Sequence, residues 1–367
     1  MRMEEDGINI LKLNIGNPAP FGFRTPDEVV YDMAKQLPDC EGYSDSKGLF
    51  SARKAIQQYY QLRNIEDVHT RDIYTGNGVS ELVNICMSAL LDTGDEILIP
   101  SPDYPLWTAC VTLAGGKAVH YLCDEQADWL PDIADMRSKV TSNTKAIVII
   151  NPNNPTGAAL GRGAVLALLE RLEAVGGRLI VDEAFIHYCP ERSVVDAVAS
   201  HPALVVLGSL TKVLAIPGAR LGYFAAHPSV IAGLREKLPP WRVNCLADAV
   251  AAALPGRGAD FEAIRARNAK CREAFATGLQ KIGARVYPSE ANFLLCDFGR
   301  DMRPAVEALK ARRVLVRPCG MFPGLTDGHV RLAVKTEEEN GRLVEALGYA
   351  LGGGSDADLS KDDGSGH

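Results

Sequence analysis

The sequence predicts an α/β protein, a parallel sheet flanked by helices, with a second and smaller α+β unit beside it. Three observations lead there. Short apolar runs alternate with helical patterns through the middle of the chain, and each run stops at a polar or Gly/Pro-rich turn. Near Ala259 the pattern changes to a charged amphipathic helix followed by short strands. At 367 residues the chain is too long for one simple core, which agrees with two units.

The helix that opens the first unit is specified by apolar spacing. After Thr75-Gly76-Asn77-Gly78, apolar residues fall at Val79, Leu82, Val83, Cys86, Met87 and Leu90, the stripe of a helix packed on a sheet. Thr93-Gly94-Asp95 supplies its glycine stop. Buried strands are expected at Glu96–Ile99, Ala146–Ile150, Leu179–Val181 and Leu204–Leu207. The turns that follow them are Pro100-Ser101-Pro102, Asn151-Pro152-Asn153, Asp182-Glu183 and Gly208-Ser209. Ligands of such sheets bind beyond the carboxyl ends of the strands, so these turn residues carry the functional weight.

The second unit reads as the amphipathic helix from about Ala259, a strand Asn292–Cys296 and a helix Arg303–Arg312. Short strands at Val314–Val316 and Val330–Val334 follow, and the N-terminal segment completes the unit. The expected division is residues 31–255 for the large unit and residues 1–30 with 256–351 for the small one. Residues 352–367 hold Gly, Ser, Asp and Lys with one leucine, too little apolar surface to order, so a disordered tail is expected. There is no internal repeat.

Composition excludes several function classes. Hydrophobic content of 47% with 23% charged residues is ordinary for a globular protein. A net charge of −7 gives no electrostatic reason to bind nucleic acid or an anionic membrane. No apolar run approaches the roughly 18 residues of a membrane span. Met1-Arg2-Met3-Glu4-Glu5-Asp6 is acidic and is no signal peptide, so the cytoplasm is expected. Nine cysteines with no C-x-x-C pair and no His/Cys cluster predict reduced, mostly buried thiols and no metal site.

Five stretches carry candidate chemistry. Ser209-Leu210-Thr211-Lys212 follows a buried strand, and Arg220 lies beyond the Pro217-Gly218 turn that can fold it back. The Lys212 amine would bond a carbonyl while Ser209 and Arg220 bind an anion; alone, a loop lysine is a solvated charge. Asp182 ends another strand. It is either a turn or cap residue or the carboxylate that keeps a pyridine nitrogen protonated, making the ring an electron sink. Asn151-Pro152-Asn153-Asn154-Pro155-Thr156-Gly157 is a rigid turn, or a loop that aims the Asn154 amide at a phenolic oxygen. Gly78, Val79 and Ser80 begin the amphipathic helix, where unpaired amides and the helix dipole suit a phosphate; a G-N-G start is also an ordinary cap. Tyr104, in Pro102-Asp103-Tyr104-Pro105-Leu106-Trp107, can stack on a planar group or simply pack.

In order and spacing these stretches resemble the class I/II aminotransferases, the fold type I pyridoxal-phosphate enzymes, over roughly residues 8–350. The resemblance implies a mostly parallel seven-stranded sheet and bound pyridoxal 5'-phosphate. Lys212 resembles the Schiff-base lysine, Asp182 the ring-nitrogen partner, Asn154 the phenolic-oxygen donor and Tyr104 the stacking aromatic. Gly78, Val79, Ser80, Ser209 and Arg220 resemble the phosphate ligands. Tyr43 resembles the tyrosine that reaches the phosphate of a neighbouring subunit, which implies a homodimer with shared sites. Arg331 resembles the arginine that grips the substrate α-carboxylate, a task for a bidentate guanidinium. Arg317 and Gly16 join it on the implied substrate side.

Phe185 departs from the pattern, since many members have tyrosine there as a donor to the phenolic oxygen; its loss should raise the imine pKa. The two halves also resemble different branches. Leu11 through Gly157 is similar to alanine-type (glutamate–pyruvate) aminotransferases, with the Gly16-Asn17-Pro18 motif. From Val181 onward the chain is similar to threonine-phosphate decarboxylase and histidinol-phosphate aminotransferase, through Leu315-Val316-Arg317-Pro318 and Phe322-Pro323-Gly324-Leu325. A natural mosaic or a constructed chimera would read this way. The resemblance therefore implies transamination between an amino acid, or an amino-acid phosphate, and a 2-keto acid. Decarboxylation of O-phosphothreonine and histidinol-phosphate transamination are the alternatives. A regulator that joins this fold to a DNA-binding domain would need a further domain before Ile10, for which no room is expected.

Overall fold

The computed structural model describes residues 10–14, 25–38, 42–43, 45–237, 243–252, 254 and 258–352. Its centre is an eight-stranded sheet in the order Ile73–Gly76, Gly222–Ala226, Leu204–Ser209, Arg178–Glu183, Thr144–Ile150, Glu96–Ser101, Lys117–Asp124 and Leu130–Pro131. Seven are full strands, as expected. The eighth is a two-residue edge that pairs antiparallel with Cys123 and Asp124. The strands from Lys117–Asp124 through Leu204–Ser209 pair in parallel, and Gly222–Ala226 runs antiparallel to both its neighbours.

Both faces of the sheet are covered, which is why its strands read as unbroken apolar runs. Ile147, Ile149, Leu179, Val181, Leu204 and Val206 enter one core, and Ala146, Val148, Ile150, Ile180, Val205 and Leu207 enter the other. The helix Val79–Leu90 forms over the span that its spacing predicts, with Leu82, Val83, Cys86 and Met87 buried.

Of the seven full strands of this sheet, three, Ile73–Gly76, Lys117–Asp124 and Gly222–Ala226, are not among those read from the sequence. All four expected strands run further than read, and in Arg178–Glu183 and Leu204–Ser209 this changes the status of two site residues. Asp182 and Ser209 are not the first residues of turns. Asp182 pairs with Ile150 and Leu207, one residue before its strand ends at Glu183, and Ser209 pairs with Gly222 as the last rung of its own strand. Their side chains thus project from rigid backbone.

The second sheet has four antiparallel strands in the order Arg285–Val286, Phe293–Asp297, His329–Ala333 and Arg317–Pro318. Leu11–Lys12 pairs in parallel with Val314–Leu315 beside this sheet. The expected single strand Val314–Val316 is split in two: Val314–Leu315 pairs with the N-terminus, and Arg317–Pro318 joins the sheet. The helices Gly258–Lys281, Arg303–Ala311 and Glu337–Gly352 accompany this sheet. Phe275, Leu279, Leu309, Leu343 and Leu347 from these helices pack with Leu294, Val330 and Leu332 of the sheet.

The thiol expectation needs one correction. Cys86, Cys110, Cys123, Cys189, Cys271, Cys296 and Cys319 are free and buried, but Cys245 is disulfide-bonded. Sequence spacing carries no signal for such a bond, because it depends on which residues the fold brings together. Among the described residues no cluster could hold a metal ion, and no helix is long and apolar enough to cross a membrane. The expected tail lies almost wholly outside the described residues.

Candidate active site

A cavity of about 450 Å³ lies where the carboxyl ends of the large sheet face the small sheet. Lys212 reaches it from the loop after Leu204–Ser209. Leu210, Val213 and Leu214 on either side are buried and anchor that loop, which leaves the lysine side chain to the cavity. Burial, with Arg220 and Arg331 nearby, lowers the Lys212 pKa to about 8. A lysine so held is part-neutral near physiological pH and can act as a nucleophile and a base.

An anion cradle lies beside it. Gly78 precedes the helix Val79–Leu90 with no side-chain cap, and the first helical bonds are donated by Glu81 and Leu82 to the Gly78 carbonyl. The amides of Val79 and Ser80 therefore stand at the positive end of the helix dipole. Arg220 lies against this turn, its Nη2 3.5 Å from the Asn77 carbonyl. Only glycine fits at Gly78: φ is +82°, and a Cβ would come within 2.6 Å of Arg220 Nη2. Gly222 allows the same approach from the sheet side, where a Cβ would lie 2.7 Å from the Gly78 carbonyl carbon. Ser209 completes the cradle, its Oγ 3.0 Å from Thr211 Oγ1.

Asp182 lies deeper and is 4% exposed. Its Oδ2 accepts from Trp107 Nε1 at 3.1 Å, and its Oδ1 accepts from the Ala184 amide at 3.0 Å. Burial outweighs these two bonds and raises its pKa to about 6. A buried carboxylate in that state gains from a nearby cation, such as a protonated ring nitrogen. Tyr104 and Phe185 line the same space, and Phe185 packs edge-on to Phe293 at 5.2 Å between centroids.

The two arginines enter from the small sheet. Arg331 donates through Nη1 to Asn154 Oδ1 and through Nη2 to the Asn14 carbonyl at 2.9 Å. The first bond orients the Asn154 amide, since its oxygen faces Arg331 and its NH₂ is left to donate elsewhere. Arg317 and Arg331 are register partners on adjacent strands, and both line the cavity. Like charges directly opposite repel, so this pair is arranged to receive an anion.

Of the expected site residues, Gly78, Val79, Ser80, Tyr104, Asn154, Asp182, Ser209, Lys212, Arg220, Arg317 and Arg331 all line this one cavity. Tyr43 does not: it is 83% exposed and away from the cavity of its own chain. Gly16 lies outside the described residues. Sequence reasoning missed Trp107, Thr211, Phe293 and Phe322 and the Asn14 carbonyl. Trp107 had a signal, since a large apolar residue in the first turn of the helix Leu106–Leu113 shares the buried face of Cys110 and Val111. A backbone carbonyl such as that of Asn14 leaves none.

The comparisons with known proteins agree with this geometry. The family model described as aminotransferase class I and II matches residues 8–347. The chain is 52% identical over 226 residues to the glutamate-pyruvate aminotransferase AlaA of Haemophilus influenzae, a match covering 61% of this chain and 56% of that one. It thus spans little more than half the length of that relative. It is also 35% identical over 285 residues to a histidinol-phosphate aminotransferase of Symbiobacterium thermophilum, covering 76% of each. The crystal structure of an aminotransferase from Escherichia coli superposes with a TM-score of 0.82 at 36% identity, over 96% of this chain and 93% of that one. The fold is the fold type I architecture implied by the sequence. By fold and by sequence over nearly all its length, the chain belongs to the class I and II aminotransferases.

Proposed function

We propose that the protein is a pyridoxal-phosphate-dependent aminotransferase that moves an amino group between an amino acid, or an amino-acid phosphate, and a 2-keto acid. The observation that carries this reading is the buried Lys212 amine, with its pKa near 8, in one cavity with Asp182 and the anion cradle. The residues fit the cofactor. Val79, Ser80, Ser209 and Arg220 would hold its phosphate, Asp182 its ring nitrogen, Asn154 its phenolic oxygen and Tyr104 one face of its ring. When bound, it supplies the electron sink for the pair left at the substrate α-carbon.

Lys212 would hold the cofactor aldehyde covalently, and its freed amine would take the proton from the substrate α-carbon. Asp182 would keep the ring nitrogen protonated. Arg331 grips the α-carboxylate and, through Asn154, links substrate binding to the cofactor's phenolic edge. Phe185 has no donor group, so Asn154 acts there without the help of a tyrosine. The alanine-type similarity of the N-terminal part favours alanine and glutamate as donors.

The test is a panel of amino acids given to the cofactor-loaded protein, with keto acids and carbon dioxide followed together. Alanine or glutamate should convert the bound cofactor to its amine form, and a keto acid should restore it. The paired Arg317 and Arg331 also suit a doubly anionic substrate. Carbon dioxide from O-phosphothreonine, without half-transamination by any common amino acid, would transfer the function to a decarboxylase. Arg331→Lys should raise KM for every carboxylate substrate about 10- to 100-fold, because the bidentate grip is lost. Arg317→Ala should matter only for substrates with a second anion.

We also propose a homodimer in which Tyr43 serves the partner's phosphate. Its 83% exposure, away from its own cavity, supports this, and C2 dimers are the commonest closed assembly. Mixing inactive Lys212→Ala with an inactive Tyr43→Ala protein should regenerate activity, since one mixed site in each dimer is intact. A fully active monomer by light scattering would refute sharing.

A further inference from the structure

Away from the cavity, a second set of contacts ties the large sheet to the small one. Glu125 lies in the short turn Glu125–Ala127 at the edge of the large sheet. Its Oε1 accepts from the Tyr287 hydroxyl at 2.6 Å and from Arg285 Nη1 at 2.8 Å, both on the small-sheet side. Tyr287 is 2% exposed, and its hydroxyl oxygen is 3.4 Å from His329 Nε2. His329 Nδ1 accepts from the Thr326 amide at 3.2 Å, which leaves the ring hydrogen on Nε2, facing Tyr287. Trp129, from the large-sheet side, packs edge-on to Tyr287 at 5.6 Å and to His329 at 6.0 Å.

The place of these residues in the small sheet gives the contact its consequence. The Tyr287 amide donates to the Leu295 carbonyl at 3.1 Å, and Leu295 is the register partner of Arg331. His329 precedes Arg331 by two residues on one strand, so both side chains leave the same face. Whatever holds Tyr287 and His329 against the large sheet therefore holds Arg331 as well.

We propose that Glu125, acting through Tyr287 and His329, is a positioning residue that keeps the Arg331 strand where its guanidinium can meet Asn154 and a substrate carboxylate. This rests on the reading of Arg331 as the carboxylate grip. Loosening the contact lets the small sheet occupy positions with Arg331 withdrawn, and apparent affinity falls with the fraction of molecules still competent. The loss is partial, because Arg192 to Glu290 at 3.1 Å and Ser101 to the Pro323 carbonyl at 3.0 Å still bridge the two sides. Lys212, Asp182 and Ser209 belong to the large sheet or its loops, so the cofactor's hold is independent of the contact.

The experiment uses the cofactor-loaded protein with maleate, a dicarboxylate that carries no amine, titrated calorimetrically against the parent, Glu125→Gln, Tyr287→Phe and the double variant. Each single variant should bind maleate about five- to tenfold more weakly. The double variant should be no weaker than the worse single one, since both remove one contact. Cofactor affinity and thermal midpoint should stay close to the parent's. Unchanged maleate binding in both variants, with the parent binding, overturns this proposal alone. A parent that binds no maleate overturns the reading of Arg331 and this proposal with it. Equal losses of maleate and cofactor affinity would mean general damage and would overturn the positioning role.

Discussion

Lys212→Ala should abolish turnover, by about 10⁴-fold or more, because the proposed function gives one side chain the tasks of both covalent anchor and proton carrier. A perturbed pKa alone does not single it out. Lys335 is 1% exposed, and burial lowers its pKa to about 8 as well. Geometry separates the two, since Lys212 lines the cavity with the anion cradle and Lys335 does not. Borohydride should therefore fix the cofactor covalently on the parent and on Lys335→Ala, and leave Lys212→Ala unlabelled. Covalent label retained by Lys212→Ala would refute the assignment, whatever the activity of that variant.

Asp182→Asn should move function and stability in opposite directions. Turnover should fall by about 10³-fold or more, since among the described residues no other anion lines the cavity to keep a ring nitrogen protonated. Glu183 cannot substitute, because adjacent strand residues face opposite sides. It is held on its own side by the Ser193 hydroxyl at 2.7 Å and the Val194 amide at 2.8 Å.

The gain in stability belongs to the cofactor-free protein. Burial raises the Asp182 pKa from 3.8 to about 6 in the folded state. Below the unfolded value both states are protonated and the group is neutral to stability. Between the two values the unfolded chain ionises first, so stability falls as pH rises, and above the folded value the loss is constant. At neutral pH that loss is about 3 kcal/mol. The amide removes it but keeps only one acceptor oxygen, so one of the two bonds from Trp107 and Ala184 is lost, at a cost of about 1–2 kcal/mol. Asp182→Asn should thus stabilise the cofactor-free protein by about 1–2 kcal/mol at pH 7 and by less near pH 4. Denaturant titrations at the two pH values check both sign and trend. A destabilised variant at pH 7 would mean that the carboxylate is not held against its preference for water.

Residues separated by a few positions were legible without a structure. Lys212, Ser209 and Asp182 each follow an apolar run bounded by a turn, and the apolar stripe from Val79 to Leu90 both marks the helix and locates its anion-binding start. Strands whose pattern was less plain were not. Lys117–Asp124 carries polar and exposed positions along its length, and Gly222–Ala226 hides inside a stretch that the sequence presents as a turn around Arg220. That strand matters, because inserting it antiparallel brings Gly222 against Gly78 and places the cradle beside Lys212.

By itself, then, the sequence determined the class of fold, the helix and buried strands, and the lysine, aspartate, asparagine and arginines that meet in one cavity. Each is written in local periodicity or in a short motif. Only the tertiary structure decided that Arg317 and Arg331 stand opposite each other, that Trp107 holds Asp182, and that Glu125 meets Tyr287 across the two sheets. Those pairings join positions up to 162 residues apart. Strand register and packing between the sheets bring them together, and no short stretch of chain encodes either one.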